Sequence, residues 1–234
     1  MRSRLPPSIR VIAFDAVGTL IVPAEPVAEV YRRAAARQGV DIDLARIASR
    51  FRAALEKFGA QTYAQLDRPL DANSRVGTAG ERSRWRRIVA EVLEPCADPE
   101  RAFEELWNYF AQPTHWRVFA DVAPVWSELR RRGLRIVIAS NFDERLRAIQ
   151  HGLPELSQCE QLFISSELGY IKPQPEFYHQ VMQELSVHAG EILMVGDQHQ
   201  NDVVAPRAQS WTAMRIDRQA ASDNDTIASL YDLL

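Results

Sequence analysis

Lysine is nearly missing from this chain: of its 28 basic residues only Lys57 and Lys172 are lysines, and the remainder are arginine. Any chemistry that needs an amine therefore has two candidates in 234 residues. Cysteine is as scarce. Cys96 and Cys159 are too few for a disulfide framework and too far apart in sequence for a metal knuckle, so a reducing, cytoplasmic setting is expected. No apolar run reaches the length of a membrane span, and the first ten residues, with Arg2, Arg4, Pro6 and Pro7, carry no apolar signal-peptide region. An excess of one charge is also lacking. The formal net charge of -3 excludes the concentrated basic surface that grips nucleic acid without regard to sequence. The local clusters Arg82, Arg84, Arg86, Arg87 and Arg130, Arg131, Arg132 fall in helical patterns and read as solvated faces.

What is present is ordinary globular material, 46% hydrophobic and 25% charged, enough for one large core or for a core carrying a smaller second domain. Residues 10–14 (RVIAF) form a short β-branched and aromatic run that ends at Asp15 and a glycine turn, which predicts a buried strand. The same grammar returns at 134–139, 161–164, 191–195 and 212–216. Helical patterns at 122–132, 144–150, 176–185 and 202–208 separate these strands. Strands alternating with helices predict an α/β fold with a doubly wound parallel sheet, whose ligands bind beyond the carboxyl ends of the strands. Between Pro23 and about His115 the alternation stops. There the sequence predicts an inserted all-helical module, with helices at 27–38, 44–65, 79–93 and 99–110 and breaks near 39–41, 69–77 and 95–98. The expected division is a core of residues 1–22 and 116–234 and a helical cap of residues 23–115.

Polar motifs stand at the carboxyl end of four predicted strands. Asp15, thrown into the turn Ala16-Val17-Gly18-Thr19, can act as a nucleophile that splits one hard displacement into two easier ones; an aspartate there also serves as a turn cap. Ser140-Asn141 precedes a helix start and can hold an anionic oxygen, though Ser and Asn are equally common caps. Lys172, in Gly169-Tyr170-Ile171-Lys172-Pro173, can neutralise a phosphate or an aspartyl intermediate as a point charge, or simply be solvated. Asp197 and Asp202 lie five apart in a strand-to-helix loop. Two carboxylates brought beside Asp15 repel unless a cation sits among them, and a few hard oxygen ligands suit Mg²⁺.

The order Asp15, Ser140, Lys172, Asp197-x4-Asp202, each behind its own strand, resembles the haloacid dehalogenase-like hydrolases, with a helical cap inserted after the first motif. The resemblance covers nearly the whole chain, and 116–121, Arg132-Gly133-Leu134-Arg135 and Ser140-Asn141-Phe142-Asp143 resemble the branch called haloacid dehalogenase-like hydrolase domain-containing proteins. It implies Asp15 as nucleophile, Thr19 and Ser140 as phosphate ligands, Lys172 as the group that steadies the intermediate, and Asp15, the Val17 carbonyl and Asp197 as Mg²⁺ ligands supported by Asp202. It also implies a small phosphorylated metabolite or similar anion as partner, with no nucleic acid and no membrane.

The chain departs from the family at Val17, where its phosphatases carry a second aspartate that protonates the leaving group. Loss of a general acid/base costs about 10²–10⁴-fold in rate. Three functions remain compatible: a phosphohydrolase restricted to good leaving groups, a carbon–halogen or carbon–phosphorus hydrolase, and a binding protein without turnover. Dehalogenases of the family have tyrosine at the position of Val17 and dispense with the metal, which Asp197 argues against. Phosphonate hydrolases have alanine there and need a cap lysine, for which Lys57 is the candidate.

Overall fold

The computed structural model describes residues 5–58, 77–223 and 225–234. The carboxyl part of the predicted helix 44–65, Tyr63 within it, and most of the break at 69–77 lie outside the described residues.

Six parallel strands form one sheet: β1 (Val11–Phe14), β4 (Arg135–Ser140), β5 (Gln161–Ile164), β6 (Ile192–Gly196), β7 (Thr212–Ile216) and β8 (Thr226–Ile227), in the order β5-β4-β1-β6-β7-β8. The doubly wound parallel sheet expected from the sequence is therefore present, and each of the five predicted strands is in it. β8 was not expected, because two residues carry no readable alternation.

β1 lies between β4 and β6, and all four of its residues are buried. Its side chains alternate between the two faces. Ile12 and Phe14 enter a layer with α5 (Val122–Arg131), where Phe14 meets Trp126 at 5.5 Å between ring centroids. Val11 and Ala13 enter the opposite layer, with Phe177, Tyr178, Val181 and Leu185 of α8 (Pro175–Leu185). A strand buried on both faces reads as a continuous apolar run, which is what made it legible. The chain winds away from β1 on both sides, so its carboxyl end, and Asp15 with it, sits where the crossovers diverge.

Residues 27–110 supply a separate hydrophobic cluster. It is built by α1 (Val27–Arg37), α2 (Leu44–Phe58), α3 (Thr78–Leu93) and α4 (Pro99–Phe110). In α1 the apolar residues Val30, Tyr31, Ala34 and Ala35 fall on one face, and that face is buried. Pro99 opens α4 in the position where its missing N–H costs nothing, and the Asp98 carboxylate accepts from the Arg101 N–H at 3.0 Å. Two short strands flank this segment: β2 (Ile21–Pro23) pairs antiparallel with β3 (Trp116–Val118). No strand signal is readable here, because three-residue strands are too short for a period to show.

Two expectations need correction. Arg84 is not on a solvated face: it is buried and donates to Glu81 at 2.6 and 3.0 Å. The pattern at 202–208 is not one helix but a π-helical stretch, His199–Val204, followed by the short α9 (Ala205–Ala208). The wider turn lets Asp202 reach back to the Gln198 N–H, at 2.9 Å from its Oδ2.

Candidate active site

β1, β4 and β6 end side by side, and the residues that follow them converge. Asp15 is fixed by its own backbone, whose N–H donates to the Val195 carbonyl at 2.9 Å. The chain then turns back at Gly18, where φ is +87° and an added Cβ would lie 2.6 Å from Asp197 Oδ2. Only glycine meets both demands, so the turn brings the main chain directly against the Asp197 carboxylate. Gly196 is constrained by space alone: a Cβ there would lie 2.3 Å from Asp202 Oδ2.

Lys172 joins the acids. Its Nζ donates to Asp15 Oδ1 at 2.9 Å and to Asp202 Oδ1 at 2.6 Å, and the side chain is enclosed, with the whole residue 1% exposed. Asn141 holds the main chain of Lys172 from both sides: the amide oxygen accepts from the Lys172 N–H at 2.8 Å and the amide nitrogen donates to its carbonyl at 2.7 Å. Ser140 is buried at the end of β4, beside Asn141. Thr19 is buried and its hydroxyl donates to Asp197 Oδ1 at 3.4 Å. The Val17 side chain packs against the apolar layer that contains Phe14 and Trp126.

The structure thus brings Asp15, Lys172, Asp197, Asp202 and Thr19 into direct or shared contact, with Ser140 and Asn141 adjoining through β4. The sequence pattern did not disclose that Asn141 grips Lys172, because a cap-forming asparagine looks the same in sequence. Nor did it disclose Tyr178, whose hydroxyl donates to the Asn201 carbonyl at 2.6 Å and supports the acidic loop from behind.

Three carboxylates around one ammonium leave an excess of buried negative charge. Burial, reinforced by the neighbouring Asp15 and Asp202 charges, pushes the Asp197 carboxyl up to about 7. Burial also raises Asp202, against the opposing pull of Lys172. Lys172 goes the other way: burial alone would lower it, but Asp15 and Asp202 hold it above the ordinary lysine range. Carboxylate oxygens from Asp15, Asp197 and Asp202 lie within 4.8 Å of one another. This donor set is all oxygen and carries uncompensated charge, so it fits a hard divalent cation. Among the described residues no helix is long and apolar enough to cross a membrane.

Comparison with known proteins agrees with this architecture. A zebrafish (Danio rerio) protein named "Haloacid dehalogenase-like hydrolase domain-containing protein 3" is 26% identical over 205 residues, covering 86% of this chain and 81% of its own. The phosphoserine phosphatase of Thermus thermophilus is 29% identical over 136 residues, covering 56% of this chain and 54% of its own. Among solved structures, a defluorinating L-2-haloacid dehalogenase superposes with a TM-score of 0.74 at 19% identity, covering 100% of this chain and 97% of that one, a likeness of fold. The profile of the family described as haloacid dehalogenase-like hydrolase matches residues 9–208, and the chain belongs to that family.

Proposed function

We propose that the chain is a Mg²⁺-dependent phosphohydrolase that acts through Asp15 and is limited to small phosphorylated substrates whose leaving group departs without a proton. The observation that carries this reading is the Asp15 carboxylate, held by Lys172 at 2.9 Å in a cluster with Asp197 and Asp202, on a loop whose apolar Val17 has no proton to give. The phosphoserine phosphatase among its relatives supports the reaction class.

Asp15 attacks phosphorus; the bond from phosphorus to the leaving oxygen breaks, and its electron pair departs with that oxygen. Water then attacks the aspartyl phosphate, and breaking its phosphorus–oxygen bond returns the Asp15 carboxylate and releases inorganic phosphate. Lys172 balances the charge of Asp15 in both steps, while Asn141 fixes where the lysine backbone sits. Thr19 and Ser140 hold phosphoryl oxygens. Asp15, Asp197 and the Val17 carbonyl would hold Mg²⁺, with Asp202 in support, and the bound ion supplies positive charge that offsets nucleophile and phosphoryl group together. Because Val17 donates no proton, aryl and acyl phosphates should react and alkyl phosphates should lag by about 10²–10⁴-fold. The helices between residues 23 and 115 act as the cap over a core of residues 1–22 and 116–234. Their own hydrophobic cluster supports that division. The carbon–phosphorus alternative loses support, because Lys57 pairs with Glu91 at 2.9 Å on an exposed helix face.

The test compares hydrolysis of an acyl, an aryl and a sugar phosphate, with Mg²⁺ and with chelator. Rates should rank by leaving-group quality. Val17→Asp should raise the sugar phosphate rate most, and Asp15→Asn should abolish all three. No turnover of any substrate by protein that binds Mg²⁺ would overturn the reading in favour of a binding protein.

A further inference from the structure

Next to the Asp15 loop lies a second polar junction that the proposed chemistry does not use. Arg218 follows β7, beyond residue 208 where the family profile ends. Its guanidinium donates to the Thr19 carbonyl at 2.8 Å and forks onto Asp121, at 2.8 Å to Oδ2 and 3.1 Å to Oδ1. It also lies over the Phe119 ring, 3.7 Å from the centroid. The Phe119 N–H in turn donates to the Leu20 carbonyl at 3.0 Å. Asp121 is anchored from the other side by the Ser229 hydroxyl at 2.7 Å and the Leu230 N–H at 2.9 Å.

The carbonyls of Thr19 and Leu20 are thus both held from outside the acidic cluster, by Arg218 and by the Phe119 N–H, and Arg218 is the charged member of that grip. The same Thr19 offers its hydroxyl to Asp197 at 3.4 Å, and Gly18 abuts the Asp197 carboxylate. The turn from Gly18 to Leu20 is therefore clamped between Arg218 and the acidic cluster. Hydrogen bonds from a guanidinium to a carbonyl and a carboxylate in fork geometry hold direction as well as distance. A lysine, a point charge on a flexible stem, lacks the planar fork that fixes both partners in one orientation.

We infer that Arg218 is a positioning residue for the Asp15 loop: through the Thr19 carbonyl it sets the turn that presents the Thr19 hydroxyl and the Gly18 main chain to Asp197. The functional part of this inference rests on the phosphohydrolase reading; the mechanical part does not. Sequence gives no hint of it, since Arg218 sits in a coil segment among other arginines and meets Thr19 only through the closure of the sheet.

The experiment uses the whole chain, as wild type, Arg218→Ala, Arg218→Lys and Ser229→Ala, at a temperature where circular dichroism shows each folded. Ser229→Ala loosens the same junction without touching the Thr19 contact. Amide hydrogen exchange reads the loop, and calorimetry with MgCl₂ reads the metal. In Arg218→Ala the amides of Gly18, Leu20 and Ile21 should exchange about tenfold faster, and Mg²⁺ should bind about tenfold more weakly. Arg218→Lys should fall between it and wild type, and Ser229→Ala should change exchange only near its own turn. If aryl phosphate turnover is present, the loss should appear in kcat more than in KM. Unchanged exchange at residues 18–21 in folded Arg218→Ala and Arg218→Lys overturns the inference, whatever becomes of the hydrolase reading. Faster exchange with unaltered Mg²⁺ affinity overturns its functional half. A wild type that neither binds Mg²⁺ nor turns over phosphate sinks the hydrolase reading alone, and the exchange data still decide the role of Arg218.

Discussion

Two of the charge groups enclosed among the described residues are built on different arithmetic. At the sheet edge, Asp15, Asp197 and Asp202 cluster with a single cation, Lys172, which pairs with Asp15 and Asp202. Where the helical segment meets the core, Glu81 pairs with Arg84, and Asp143 takes Arg145 in a fork with both bonds at 2.7 Å. The second group is balanced, two acids to two guanidiniums. It is also packed: the Arg145 guanidinium lies 3.6 Å from the Trp107 ring centroid, with Trp85 at 5.9 Å and Phe142 at 5.7 Å. A balanced, forked and stacked group needs nothing from outside and serves to join α4 to the segment after β4. An unbalanced group is costly until something positive arrives. Burial and two like charges already drive Asp197 up to about 7. Net charge, more than burial, separates a site from a joint.

The comparison can be broken most forcefully by removing one cation from each group. Arg145→Ala leaves the Asp143 carboxylate, 1% exposed, without its partner. Breaking such a pair costs about 3–5 kcal/mol. Lys172→Met strands Asp15 and Asp202 and should cost about as much by the same argument. Urea unfolding with and without Mg²⁺ separates the two: Arg145→Ala keeps the acidic cluster and should gain from the ion only what wild type gains, so its deficit stays constant, whereas the deficit of Lys172→Met should shrink when the ion is present. Equal response in the two variants would mean that charge balance does not distinguish the regions.

Ligand linkage gives a smaller effect. A cation that binds only the folded chain should stabilise it by about 2.7 kcal/mol at a hundred times its dissociation constant. The rise in melting temperature on adding MgCl₂ should vanish in Asp197→Asn and persist undiminished in Glu81→Gln, even though the latter protein starts from a lower melting temperature. A rise that survives Asp197→Asn would place the ion elsewhere.

The two groups were not equally legible in the sequence. Asp15, Ser140 and Asp197 stand at the ends of short apolar, β-branched runs that read as buried strands, so their meeting at one edge follows from the parallel sheet; Lys172 reaches the same edge from eight residues beyond β5. That the sheet is parallel could be anticipated because strands alternated with helices of readable period, but its strand order could not be read from that alternation. The junction was illegible for the opposite reason. Arg84 stands in a run of arginines on a helix and looks solvated in sequence; only tertiary packing of α3, which meets Ser165–Leu168 of the core, buries it. Asp143-x-Arg145 carried a local signal, an acid and a guanidinium two apart at a helix start, but capping explains that spacing equally well in sequence. β2 and β3 failed through length, since three residues show no period. The π-helical turn at 199–204 failed because its apolar residues Val203 and Val204 fit an ordinary helix as well.

A third pair, Asp121 with Arg218, stands between the two extremes and gives the smallest expected effect. It is balanced like the junction, yet it touches the Asp15 loop. Burial would raise the Asp121 carboxyl, but the Arg218 fork, the Leu230 N–H and the Ser229 hydroxyl outweigh it and hold the group below the ordinary aspartate range. A carboxyl depressed by folding contributes stability that is fully present above its unfolded value of about 3.9, and that stability is lost as pH falls through the lower folded value. Asp121→Asn should therefore be less stable than wild type at pH 7, and the deficit should shrink as both proteins are acidified below pH of about 4. Urea midpoints measured over that range check it. A deficit that stayed constant with pH would mean that the pair is held by shape and hydrogen bonding alone, and the charge of Asp121 would drop out of the account of how the loop is braced.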